Sequence, residues 1–186
     1  MTLRRGFKTE AEAISLELRA EIGLTADDRL DCVVLADHLA IEVAPITDLA
    51  IVGATATHLD TVVDEDMGFS AMTVYRGTKC RIFYNPLHPP TRTANSIAHE
   101  FSHVILEHEP GPVIGDDGAR HWDETIEDEA TWLAGALLVP RDGALNMLST
   151  GTDMTAGAAH YAVSPQLFTW RAQSTGVVAQ LRHRAA

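Results

Sequence analysis

The sequence predicts an α+β fold, in which a small twisted β-sheet packs on a helical core and a pair of helices closes the chain. Strand-like runs of alternating or β-branched residues are confined to the first half, where Gly-containing and acidic turns separate them. Longer segments with apolar residues at helical spacing fill the second half. A length of 186 residues, of which 46% are hydrophobic, suits one globular domain over residues 1–186.

The first half begins with a flexible arm, about residues 1–8. Thr9 and Glu12 have the spacing of a capping box, which predicts a helix from there to about Glu21, with Gly23 as its stop. The other elements predicted in this half are a helix over about 30–39 and strands over 41–43, 51–58, 68–75 and 80–84.

The second half opens after the proline-rich segment 86–90, which ends the sheet. A loop rich in Gly, Pro and Asp at 110–118 is expected to form a mobile rim. Ser164 and Pro165 have the types preferred at the cap and first position of a helix, and residues 150–186 are expected to form a C-terminal helical subregion. The predicted helices start near 91 and cover about 123–138, 142–148, 153–162 and 164–175.

The net charge of −12 argues against a surface that binds nucleic-acid phosphates, and it suits a cytoplasmic protein. The chain has no run of about 18 apolar residues, so no membrane span is expected. The basic N-terminus lacks the apolar stretch of a signal peptide. Cys32 and Cys80 lie far apart in apolar segments, which predicts buried free thiols in a reducing compartment.

Residues 99–103, His-Glu-Phe-Ser-His, fit the pattern H-E-x-x-H. On a helix, His99 and His103 lie one above the other, and two imidazoles so placed can bind one zinc ion. Glu100 can then reach a water molecule at the metal and act as the base. The pattern also arises by chance in a chain with nine histidines. A third ligand elsewhere in the chain is therefore needed to distinguish a zinc site from a chance match.

The helix predicted from Asp123 is crowded with carboxylates, and Glu127 and Glu129 are the main candidates for that third ligand. The apolar stripe of this helix puts Glu127 at the inner edge of the buried face and turns Glu129 toward solvent, so Glu127 is preferred. A group that stabilises the oxyanion is also expected, and Tyr161, His121 and His160 are all candidates.

The longer metzincin pattern H-E-x-x-H-x-x-G-x-x-H is not met, because position 106 is Leu and His108 falls one residue early. His108 is therefore interpreted as a solvated residue at the helix end, where a histidine favours the negative end of the dipole.

The assembled pattern resembles the ImmA/IrrE family of zinc metallopeptidases, which is gluzincin-like. Residues 92–103, RTANSIAHEFSH, are similar to that family's R-x-x-F-T-x-A-H-E-x-G-H. Residues 127–140, EDEATWLAGALLVP, are similar to its E-x-E-A-N-x-F-A-x-x-L-L-x-P. The entry at 24–43 and the tail at 161–177 are also similar, so the resemblance covers nearly the whole chain. The departures from the pattern are Asn95 for Phe, Ser96 for Thr, Ser102 for Gly, Thr131 for Asn and Leu133 for Phe.

The resemblance implies a zinc endopeptidase in which His99, His103 and Glu127 bind the metal and Glu100 is the catalytic base, with manganese as the alternative ion. It also implies a cytoplasmic protein substrate, a helix-turn-helix repressor, whose cleavage relieves repression. The alternative is a regulator that binds a repressor or antitoxin without cleaving it, since the acidic surface and the altered motif positions suit such a role. Direct nucleic-acid binding by the closing helices is not expected in so acidic a chain.

Overall fold

The structure, a computed structural model, describes residues 1–48, 69–77, 79–109 and 123–185. Its strands are β1 (Glu42–Pro45), β2 (Ala71–Arg76) and β3 (Lys79–Tyr84). Its helices are α1 (Phe7–Glu21), α2 (Cys32–His38), α3 (Pro90–Ile105), α4 (Glu124–Leu138), α5 (Arg141–Ser149), α6 (Met154–Tyr161), α7 (Pro165–Ser174) and α8 (Val177–Ala185). This combination of helices with a small sheet confirms the α+β fold class.

The described strands form a mixed sheet in the order β1-β3-β2. The central strand β3 runs parallel to β1 and antiparallel to β2, and Ile82 on β3 pairs with Val43 on one side and Thr73 on the other. Ile82 is fully buried in the main core, which it shares with Phe101 of α3. Helix α3 therefore packs against one face of the sheet.

Helix α3 begins with Pro90, whose missing N–H and fixed φ suit the first position of a helix. Its buried residues are Ile97, Ala98, Phe101 and Ser102. Helix α4 is its main helical neighbour. His103 of α3 contacts Glu127 at the start of α4, whereas Asn95 lies beside Ala134 further along α4. The order of these contacts is reversed between the helices, so α3 and α4 run antiparallel.

The second half of α4 is buried almost all round, and the carbonyl groups at its end are satisfied by side chains from other helices. Ser15 Oγ donates to the Ala136 carbonyl at 2.7 Å, and Arg19 Nη2 donates to the Leu137 carbonyl at 2.7 Å. Arg171 Nε donates to the Val139 carbonyl at 3.1 Å. Since the last carbonyls of a helix have no partner within it, these three buried side chains remove the cost of burying that end.

Two sequence predictions at the termini are wrong. The first helix starts at Phe7 rather than Thr9, because Gly6 takes the left-handed conformation (φ 87°) and begins the helix without the expected capping box. The predicted closing pair is followed by a third helix, α8, because Gly176 (φ 77°) allows the chain to turn and start another helix. The predicted strand 51–58 and rim 110–118 lie outside the described residues.

Cys32 and Cys80 are free thiols, as predicted, although each is only partly buried. Burial raises the pKa of Cys32 to about 12, so this thiol stays protonated at neutral pH. Within the described parts of the chain, no helix combines the length and apolar character that crossing a membrane requires.

Replacing Arg171 with Met should lower the free energy of unfolding by roughly 3–5 kcal/mol, the usual cost of removing one partner of a buried ion pair. The guanidinium is fully buried and pairs with Glu12, which would be left without that partner. Urea denaturation followed by circular dichroism measures the loss. The matched control is Arg182→Met on the exposed side of α8, which should change the free energy by less than about 0.5 kcal/mol. Equal effects of the two substitutions would contradict the role of Arg171.

Candidate metal centre

Three side chains from α3 and α4 converge at one point. His99 Nε2 lies 3.0 Å from His103 Nε2 and 3.2 Å from Glu127 Oε2. His103 Nε2 lies 3.7 Å from Glu127 Oε1. Each residue offers one ligand atom, and these atoms all lie within 4.8 Å of one another. This is the set that the sequence predicts as metal ligands.

Two imidazole nitrogens and one carboxylate oxygen form a donor set that fits a metal ion such as zinc. Zinc binds imidazole nitrogen and carboxylate oxygen at about 2.0–2.2 Å in a tetrahedral arrangement, which separates neighbouring donors by about 3.3 Å. The separations from His99 Nε2, 3.0 Å to His103 Nε2 and 3.2 Å to Glu127 Oε2, lie near that value. Two histidines and one carboxylate also match the ligands of catalytic zinc sites that keep a fourth position open.

Local sequence explains why these side chains meet. His99 and His103 are four residues apart on α3, so their side chains share one face of the helix. Glu127 lies in the first turn of α4, whose N-cap is Asp123. The Asp123 carboxylate accepts a hydrogen bond from the Thr125 N–H at 2.9 Å and fixes the start of the helix. The carboxylate of Glu127 is thereby held opposite the two imidazoles.

Both histidines are held in their neutral form. Burial lowers the pKa of His99, and the nearby His108 lowers it further. Burial also lowers the pKa of His103, and His99 adds to the effect, whereas Glu127 opposes it. Because a metal binds the lone pair of a neutral imidazole, this environment keeps both donors available at neutral pH.

Glu100, the predicted base, is hydrogen-bonded to a residue of the sheet. Thr73 Oγ1 on β2 donates a hydrogen bond to Glu100 Oε2 at 2.6 Å. Burial raises the pKa of Tyr75, two residues further along β2, and of its cross-strand partner Cys80. The charge of Glu100 raises the pKa of both groups further. The edge strand β2 therefore contributes to the site. The sequence did not identify Thr73, because the pattern of a strand does not show which helix its side chains contact.

Residues 59–172, more than half of the chain, match the peptidase M78 family, described as the IrrE N-terminal-like domain. The chain belongs to this family. No curated protein matches the chain. The family match therefore indicates a metallopeptidase, and His99, His103 and Glu127 lie close enough together to bind a metal ion.

The M78 family pattern has two glutamates, and the structure gives them different surroundings. Glu127 faces the histidines, while Glu129 is 5% exposed and pairs with Arg4, whose Nη1 lies 3.4 Å from Glu129 Oε2. The prediction that Glu129 points to solvent is therefore wrong. The sequence predicts a flexible arm over about residues 1–8, but helix α1 begins at Phe7. In the segment before it, the Thr2 N–H donates to Asp128 and the Arg4 N–H donates to Glu129, both on α4.

His108 is not a solvated residue at the end of α3, which corrects the sequence interpretation. Its Nδ1 lies 3.0 Å from Nδ1 of His103, and it is partly buried. Burial lowers the pKa of His108, so it too is neutral at neutral pH. The sequence pattern did not suggest the contact between His108 and His103, because this contact depends on how the chain turns after α3 ends.

Of the oxyanion candidates named from the sequence, Tyr161 and His160 are not brought to the site. Tyr161 Oη donates to the Ala26 carbonyl at 2.8 Å, and His160 Nε2 lies 2.6 Å from the Asp27 carbonyl. Both side chains thus contact the segment between α1 and α2. His121 lies outside the described residues.

The departures from the M78 family pattern leave the three donors in place. Ser102 is fully buried, and its hydroxyl donates to the Ala98 carbonyl at 2.8 Å. Leu133 is fully buried in the main core. Asn95 and Thr131 line a groove of about 290 Å³ that opens beside His99. Two of the departures therefore alter a surface next to the metal centre.

Replacing Glu127 with Ala should weaken zinc binding by more than about 100-fold, because even partners outside the ligand set contribute about 10–100-fold to metal affinity. Glu129→Ala is the matched control, since it removes a carboxylate two residues away that binds Arg4. It should change zinc affinity by only a few-fold. Competition with a chromogenic chelator measures both constants. A greater loss in the Glu129 variant would identify Glu129 as the third ligand.

Proposed function

We propose that the chain is a zinc-dependent endopeptidase. The observation that carries the proposal is the convergence of His99, His103 and Glu127, with Glu100 adjacent on the same helix and its carboxylate bound by Thr73. Membership in the M78 peptidase family supports the reaction class. The donor types, two imidazole nitrogens and one carboxylate oxygen, support zinc rather than an ion that prefers six oxygen ligands.

In this proposal, His99, His103 and Glu127 would hold zinc, which would supply Lewis acidity toward the peptide carbonyl and lower the pKa of water. Glu100 accepts a proton from the attacking water as the new C–O bond forms. It then donates that proton to the amide nitrogen as the C–N bond breaks, so that the products are a carboxylate and an amine. The Thr73 hydroxyl holds one carboxylate oxygen, which orients Glu100 for both proton transfers.

For the substrate, we propose a helix-turn-helix transcriptional repressor in the cytoplasm, whose cleavage relieves repression. The resemblance to ImmA/IrrE proteins supports this choice, and the net charge of −12 suits a partner with a basic DNA-binding surface. The second candidate is a regulator that binds a repressor or antitoxin without cleaving it. The altered groove residues Asn95 and Thr131 favour that alternative, because they change the surface beside His99.

Incubation of the protein with the proposed substrate, a helix-turn-helix repressor, should yield two fragments. Glu100→Gln should reduce the cleavage rate by roughly 10²–10⁴-fold, the usual contribution of a general acid–base group, because an amide cannot carry the proton. Gel electrophoresis and mass spectrometry of the fragments measure the rate and the cleaved bond. A chelator should abolish cleavage, and zinc should restore it.

The control for this experiment is the zinc content of Glu100→Gln, which should equal that of the wild type because Glu100 is not among the donors. Absence of cleavage by the wild-type protein with both zinc and manganese would sink the peptidase proposal. Full derepression by Glu100→Gln in cells would favour the regulator that does not cleave.

Replacing Thr73 with Val removes the hydroxyl that binds Glu100 while keeping the shape of the side chain. We expect kcat to fall by about 10-fold or more, because a hydrogen bond to a charged group contributes about 1.5–3 kcal/mol. KM and zinc affinity should stay within a few-fold of the wild-type values. Thr73→Ser, which keeps the hydroxyl, should retain most of the activity. A Ser variant as impaired as the Val variant would show that the hydroxyl is not what matters.

A further inference from the structure

The end of α3 is built so that the chain turns back over His103. Glu107 takes the left-handed conformation (φ 53°), which is unfavourable for a non-glycine residue. The turn lets the His108 N–H donate to the His103 carbonyl at 3.0 Å. The backbone of His108 is thus fixed directly against the turn of helix that carries His103.

This turn brings the two imidazoles into contact. The rings meet edge to face, with centroids 5.1 Å apart and an interplanar angle of 68°. The two Nδ1 atoms are 3.0 Å apart, which is hydrogen-bond distance. Of two nitrogens at that distance, one must donate and the other must accept.

The surroundings of His103 decide which ring donates. Its Nε2 faces His99 Nε2 at 3.0 Å and Glu127 Oε1 at 3.7 Å, so Nε2 is the atom turned toward the metal centre. An Nε2 that offers its lone pair to a metal leaves the proton of the neutral ring on Nδ1. His103 Nδ1–H is therefore the donor, His108 Nδ1 is the acceptor, and His108 carries its own proton on Nε2.

We propose that His108 is a positioning residue for the metal centre. Its Nδ1 accepts the Nδ1–H of His103, and it fixes the ring orientation and the tautomer in which Nε2 of His103 can bind metal. Partners of this kind hold metal-binding histidines and raise their basicity. The inference rests on the metal-binding part of the proposed function and is independent of peptide cleavage.

The test compares two substitutions of equal size. Asn at position 108 keeps an acceptor oxygen near the position of Nδ1, whereas Leu has the same shape without an acceptor. We expect His108→Leu to weaken zinc binding by about 10–100-fold and His108→Asn to stay within a few-fold of the wild type. The dissociation constants come from competition with a fluorescent chelator, and thermal unfolding confirms that each variant is folded. His38→Leu, which removes a histidine from α2, should leave zinc affinity unchanged.

A second readout separates positioning from general support of the fold. In the zinc-loaded protein, long-range ¹H–¹⁵N spectra should show the proton of His103 on Nδ1, with slow exchange in the wild type and the Asn variant. In the Leu variant this proton should exchange rapidly. Equal zinc affinity in folded Leu and wild-type proteins, or a proton found on His103 Nε2, would overturn the inference. If His108→Leu weakens zinc binding but the wild-type protein never cleaves a peptide, the peptidase proposal fails and the inference about His108 stands.

Discussion

The last carbonyl groups of α4 are bound by Ser15, Arg19 and Arg171, and the position of the metal centre depends on these contacts. A helix can be buried on all sides only when the carbonyls at its end have partners. Because α1 and α7 both supply such partners, they oppose both the sliding of α4 along its axis and its rotation about that axis. That constraint fixes where its first turn, with Glu127, projects toward α3.

The two ends of α4 have opposite requirements. Its C-terminal half is apolar and enclosed, while its first turns carry acidic side chains that must stay accessible to a metal and to substrate. Negative charge is favoured at a helix N-terminus, so Glu124 and Glu127 are tolerated there without a metal. Residues 1–6 cover the neighbouring side of the helix and pair with Asp128 and Glu129. On α4, the carboxylate of Glu127 thus faces the metal centre, while those of Asp128 and Glu129 bind the N-terminal residues.

Much of this site could be predicted from the sequence, because its determinants are local. The spacing of His99 and His103 fixes their shared face, and the apolar stripe of α4 gives the orientation of Glu127. The environment of Glu129 could not be predicted, since it depends on an arm more than a hundred residues away in sequence. The contact of His108 was missed for a similar reason: a left-handed Glu107 redirects the chain, and helical periodicity does not report such a turn.

The departures from the family pattern divide according to what they touch. A serine in place of glycine at 102 adds a hydroxyl to a buried helix face, and the hydrogen bond to the Ala98 carbonyl compensates for its burial. Leu133 remains an apolar core residue. Asn95 and Thr131, in contrast, line the groove beside His99, together with Gln166, Leu167 and Trp170. Asn95 puts a polar group there in place of Phe, whereas Thr131 replaces one polar side chain with another. None of these four positions is among the converging donors, so the changes leave the donor set itself intact, and only those at 95 and 131 alter the groove beside it.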